Sequence, residues 1–116
     1  MSEFIDLDIL FEKSYEKIKL NSKDGQEFKL TLETTPEMAL SSIKLMRDGK
    51  TEVDSAIENV KIMLKDQLNV DKETDWIKKN IKTEYLLYIE TSLAAQITEA
   101  NNIIKSRGTS KGTKKK

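Results

Sequence analysis

The chain has 116 residues with 20 Lys+Arg, 20 Asp+Glu, no His and no Cys. That length fits one compact domain, since domains usually run to roughly 100–150 residues. Without Cys there is no disulfide, thiolate metal site or thiol nucleophile, and without His the commonest neutral-pH base and zinc ligand are missing, so composition points away from an enzyme.

The first twelve residues carry Glu3, Asp6, Asp8 and Glu12 and no base, unlike a secretory signal. Nowhere is there the run of about 20 apolar residues that a membrane span needs. The expected location is therefore the inside of a cell. Residues 6–13 read as a short helix, with Asp6 as N-cap and Leu7, Leu10 and Phe11 on one face, and an extended reading stays open. Residues 14–33 read as a β-hairpin. Ile18 and Leu20 alternate with polar neighbours, as do Phe28, Leu30 and Leu32, and Asp24-Gly25 supplies the turn. A lone hairpin is marginal in water, so its apolar face needs a cover.

Residues 36–105 read as helical and supply that cover. Thr35-Pro36-Glu37 gives an N-cap, a first-turn proline and an acid for the dipole. Ala39, Ile43 and Met46 form the expected core stripe, broadened by Met38, Leu40 and Leu45, and Gly49 ends the helix. Thr51 caps the next helix, whose stripe is Val53, Ala56, Ile57, Val60, Met63, Leu64 and Leu68. A short helix over 73–81 carries Trp76, Ile77 and Ile81. The last helix follows Thr83 with the stripe Leu86, Ile89, Leu93, Ile97, Ala100 and Ile104, and Gly108 lies just past its expected end. The predicted fold is α+β, mostly α: an N-terminal β-hairpin with about four helices packed on it, in one globular domain over 1–105.

Residues 106–116 read as a flexible basic tail or linker. From Lys105 onward there are six bases and no acid, which leaves 14 bases against 20 acids in residues 1–104. With no apolar residue, the tail has nothing to bury against the entropy of ordering it. A basic arm suggests nucleic acid or an acidic partner, but the tail has no aromatic residue to stack on bases and the body is acidic.

Chemistry-bearing patterns are missing. Asp6/Asp8 and Asp54/Glu58 read as surface acids near helix starts, and Asp24-Gly25 lacks the spacing of a calcium loop. No phosphate-binding glycine loop or nucleophile elbow occurs. No cofactor is expected. Met38, Met46 and Met63 read as core gap-fillers. Trp76 reads equally as an anchor for a partner and as a plug between the short helix and the last one.

A short segment ending Leu10-Phe11-Glu12-Lys13 precedes the hairpin strands Lys17–Leu20 and Phe28–Leu32. Then come Thr34-Thr35-Pro36-Glu37-Met38-Ala39-Leu40 and an all-helical remainder. Over residues 6–104 this layout resembles the tail assembly chaperones of long-tailed phages and prophages of Gram-positive hosts. The Lys/Gly/Thr/Ser tail is similar to the end of such chaperones. There the short product often stops near a ribosomal slippage site, and a frameshifted longer product continues it; an A-rich slippery run would encode Lys114-Lys115-Lys116. The resemblance implies a non-enzymatic chaperone of tail morphogenesis in the host cytoplasm, one that coats the tape measure protein and recruits tail tube subunits. An amphipathic helix in a groove is the expected contact, with the stripes Val53–Leu68 and Leu86–Ile104 serving folding first and binding second. The candidate partner-binding residues are Trp76, Tyr85, Tyr88, Lys114, Lys115 and Lys116. Wide apolar faces also suit self-association. The alternatives are a small nucleic-acid-associated protein using the basic tail and a small phage-encoded inhibitor that presents acids to a host protein.

Overall fold

Strand β1 (Lys17–Asn21) pairs antiparallel with β2 (Glu27–Thr31), with Ile18 opposite Leu30 and Leu20 opposite Phe28. We describe the fold from a computed structural model, which covers residues 4–12 and 14–112. The turn works as the sequence predicts. Gly25 sits at φ +93°, in the left-handed region, and the Ser22 amide donates to the Gln26 carbonyl at 2.9 Å. Alternation places Leu20, Phe28, Leu30 and Leu32 in the core.

A one-turn helix, α1 (Leu7–Leu10), precedes the hairpin. Asp6 caps it by accepting from the Asp8 amide, and it buries no residue. Helices α2 (Pro36–Arg47), α3 (Glu52–Leu68), α4 (Thr74–Asn80) and α5 (Thr83–Gly112) follow the hairpin, so the fold is α+β and mostly helical, as expected.

The hub is α3, which packs on α2, α4, α5 and β2. Its start is a capping box. The Asp54 amide donates to the Thr51 hydroxyl at 3.2 Å, and the Asp54 carboxylate accepts from the Thr51 amide at 2.9 Å. Its end is Asn69 in the left-handed conformation, with the Asn69 amide on the Lys65 carbonyl at 3.1 Å and the Val70 amide on the Leu64 carbonyl at 3.0 Å. The predicted stripe is the core: Ala56, Ile57, Val60, Met63 and Leu64 are buried, with Val53 and Leu68 packed at its margin. Burying each such large side chain contributes roughly 1.5–3 kcal/mol.

The α2 stripe faces the opposite way from expectation. Its cap is as predicted, with Thr35 accepting from the Met38 amide and Pro36 in the first turn. Met38 is the helix's one buried residue, while Leu40, Ile43 and Met46 each keep more than half of their surface in solvent. The helix packs on α3, not across the hairpin. Polar chemistry explains the rotation. Ser42 hydrogen-bonds Ser55 at 2.7 Å and accepts from Asn59 Nδ2 at 3.3 Å. Ser55 and Asn59 donate in turn to the two oxygens of Glu90, at 3.1 and 2.8 Å. Ser55 and Asn59 are almost fully buried. Turning Ala39, Ile43 and Met46 inward would strip them of Ser42, and an unsatisfied buried polar group costs more than an exposed methyl group.

The last helix also departs from expectation. Leu86, Ile89 and Leu93 are buried, but Ile97 and Ile104 are exposed because none of the described elements packs down over that half of the stripe. The helical backbone continues past Gly108 to Gly112. Each residue added to an established helix brings its own backbone hydrogen bond without a new nucleation cost, so the ladder runs into the segment read as a tail. Thr113–Lys116 lie outside the described residues.

Candidate functional site

Two apolar surfaces are left after the core is filled. The first is a groove of about 300 Å³ between the start of α2 and the second half of α5, lined by Phe11, Tyr15, Pro36, Ala39, Ile97 and Ala100. Both helices pack on α3 but are not packed on each other along their lengths. Gln96 holds one wall in place: its Nε2 donates to the Leu32 carbonyl at 2.7 Å and its Oε1 accepts from the Thr34 amide at 2.8 Å. The Thr34 hydroxyl adds a bond to the Leu93 carbonyl at 2.9 Å. These bonds tie that wall to the end of the hairpin, while the apolar row Ala39, Ile43 and Met46 runs out of the groove along α2. Lys44 and Arg47 follow Leu40 and Ile43 by one turn, which gives this face a basic rim.

The second surface is a groove of about 370 Å³ between β1 and the start of α5, lined by Ile18, Leu20, Tyr85, Tyr88 and Ile89. It brings together two of the predicted binding residues, Tyr85 and Tyr88, both partly exposed. The Tyr88 hydroxyl donates to Glu16, and this bond to a carboxylate holds the phenol's pKa above its ordinary value of 10.0. Lys82 Nζ lies 5.5 Å from the Tyr85 ring centre.

Trp76 is not in either groove. Its ring meets Phe28 edge-on at 6.1 Å, with Lys72 Nζ 4.5 Å from its centre. Its indole Nε1 donates to Asp24 Oδ2 at 3.1 Å. It therefore plugs the gap between α4 and the hairpin turn, not one between α4 and α5. Asp24 also accepts from the Ser22 hydroxyl and, at 3.0 Å, from Gln26 Nε2. These bonds, Ser22 first, hold its carboxyl below the ordinary value of 3.8. Lys114, Lys115 and Lys116 lie outside the described residues.

Sequence reasoning missed the α2 face as a surface, because its periodicity looked like core. It also missed the Ser42–Ser55–Asn59–Glu90 cluster, for which the available signal was Ser55 and Asn59, one turn apart on the same helix as the α3 stripe.

Among the described residues, no group of three or more His, Cys, Asp or Glu side chains is placed to hold a metal ion. No helix there is long and apolar enough to cross a membrane. What both grooves offer is apolar area with main-chain and aromatic polar groups at the margins, which suits docking of another polypeptide. No protein-family model, curated protein or solved structure matches this chain.

Proposed function

We propose that this protein is a non-catalytic assembly chaperone that shields apolar helical segments of other polypeptides. The partners implied by the sequence resemblance are the tape measure and tail tube proteins of a long-tailed phage, met in the host cytoplasm. The observation that supports this reading is the exposed row Leu40, Ile43 and Met46 on α2, which lines up with a groove closed on its far side by Ile97 and Ala100. An amphipathic helix laid along that row buries its apolar stripe at i, i+3, i+4 and i+7, which is how a helix in a groove is read. The basic rim of Lys44 and Arg47 favours acidic flanks on such a helix. A long helical tape measure supplies such stripes repeatedly, and unpolymerised tube subunits carry exposed apolar surface that needs shielding.

Co-expression tests the reading. Candidate tape measure and tail tube proteins are expected to be recovered in the soluble fraction, bound to the chain, when it is present and not when it is absent. Equal recovery with and without it for every candidate overturns the reading.

A further inference from the structure

The outer edge of β1 is open, and the chain carries a segment shaped to fill it. The Leu32 amide donates to the Glu16 carbonyl, and the Ser22 amide to the Gln26 carbonyl. With the observed register, these bonds make 16, 18, 20 and 22 the residues that face β2 through their main chain. Lys17, Lys19 and Asn21 therefore direct their N–H and C=O groups to the other side, where no described residue bonds them. The opposite edge, on β2, is partly closed at Thr31 by the Gln67 side chain. An open edge with an apolar groove beside it is a template for an added strand.

The segment Phe4–Leu10 alternates. Ile5, Leu7 and Ile9 fall on one side and Asp6 and Asp8 on the other when the chain is extended. In the structure this segment forms only the single turn of α1, and Phe4, Ile5, Leu7 and Ile9 are 98%, 57%, 61% and 69% exposed. A four-residue helix holds its conformation weakly, so the extended form is within easy reach. Seated against β1, Ile5, Leu7 and Ile9 would face the groove of Ile18, Leu20, Tyr85 and Tyr88. Asp6 and Asp8 would then stand on the solvent face beside Lys17 and Lys19, an opposite-charge match between neighbouring strands.

We propose that the open edge of β1 and the Tyr85–Tyr88 groove receive Phe4–Leu10 of a second copy of this chain as an added strand. Reciprocal exchange by two copies closes a two-fold dimer and removes Ile5, Leu7, Ile9 and the strand edge from water together. The inference is independent of what the α2 face holds.

Light scattering on the full chain over a concentration series tests it. The expected mass rises with concentration from 13.3 kDa to twice that value. L7D/I9D is expected to stay monomeric with an unchanged circular dichroism spectrum, because α1 buries nothing. K17E/K19E is expected to raise the dimer dissociation constant by about tenfold, and adding D6K/D8K is expected to restore it. In the wild-type dimer, the amides of Lys17, Lys19 and Asn21 are expected to exchange slowly. A wild-type chain that is monomeric at every concentration overturns the proposal, as does a dimer indifferent to L7D/I9D. A monomer whose own residues 4–10 are protected from exchange also overturns it, since the segment then folds back on its own β1.

Discussion

The carboxamide of Gln67, on α3, bonds both main-chain groups of Thr31 on β2: Oε1 accepts from the Thr31 amide at 2.9 Å and Nε2 donates to its carbonyl at 2.8 Å. A single side chain thus stands in for a neighbouring strand at that point, and it ties the hairpin to the hub helix. Gln96 repeats the device one strand-end later on Leu32 and Thr34. The two glutamines bond main-chain groups that water would otherwise have to satisfy.

Gln67→Ala is expected to cost about 1 kcal/mol in urea unfolding, the net worth of a typical hydrogen-bonding side chain. Gln67→Glu is expected to cost at least as much, because its second carboxylate oxygen would meet the Thr31 carbonyl as acceptor against acceptor, a repulsion that the alanine variant escapes and that offsets the one bond the glutamate keeps. A glutamate variant as stable as the wild type would show that the second bond contributes nothing.

The polar cluster between α2, α3 and α5 calls for a different test. Glu90→Leu removes the carboxylate that accepts from the Ser55 hydroxyl and from Asn59 Nδ2, leaving both only Ser42, for an expected loss of about 1–3 kcal/mol. Replacing the cluster together, as S42A/S55A/N59L/E90L, is expected to recover most of that loss, because an apolar core does not need the partners. Chemical denaturation of the two variants decides between a cluster that stabilises the fold and one that chiefly sets the rotation of α2.

Residues on the two sides of α2 and α3 are expected to respond oppositely. Met63→Ala removes a buried side chain from the hub and is expected to cost about 2–5 kcal/mol. Ile43→Ser lies on the exposed row and is expected to shift stability by no more than about 0.5 kcal/mol. Thermal unfolding separates them, and a large loss at Ile43 would place that residue in the core after all.

Two titrations have opposite signs. Asp24 has its folded pKa lowered below 3.8, mainly by Ser22, so its contribution is complete above that value and is lost as pH falls through the folded pKa. Asp24→Asn is expected to flatten the acid limb of the stability profile there. Tyr88 has its folded pKa raised above 10.0 by Glu16, so its contribution is complete below that value and is lost as pH rises through the folded pKa. Tyr88→Phe is expected to flatten the alkaline limb. Unfolding free energy measured across pH in the three proteins checks both signs.

How far the fold was legible follows from how many faces each segment could bury. The α3 stripe has one apolar side and a capping Thr51, so its role could be read directly. The hairpin was equally plain, because Asp24-Gly25 fixes the turn and alternation fixes the face. On α2, Met38 and Leu45 compete with Ala39, Ile43 and Met46 for the inside, and the tie is broken by Ser42, whose partners lie 13 and 17 residues away. The stripe of α5 was read correctly as a stripe serving both folding and binding, but periodicity does not say where the covering elements stop, and the division between buried Leu93 and exposed Ile97 and Ile104 was not legible. Trp76 was ambiguous for the same reason: its partners Phe28 and Asp24 are distant in sequence.

The central claim is that the α2 row and the α5 groove hold an apolar helix from another polypeptide. Methyl NMR of the labelled chain, titrated with an amphipathic helical peptide from a candidate tape measure protein, tests it most directly. The methyl groups of Leu40, Ile43, Met46, Ile97 and the groove-lining Ile103 are expected to shift together and to saturate at one stoichiometry, with those of Met63 and Leu64 unmoved. Peptide binding that leaves the α2 methyl groups unmoved would contradict the account.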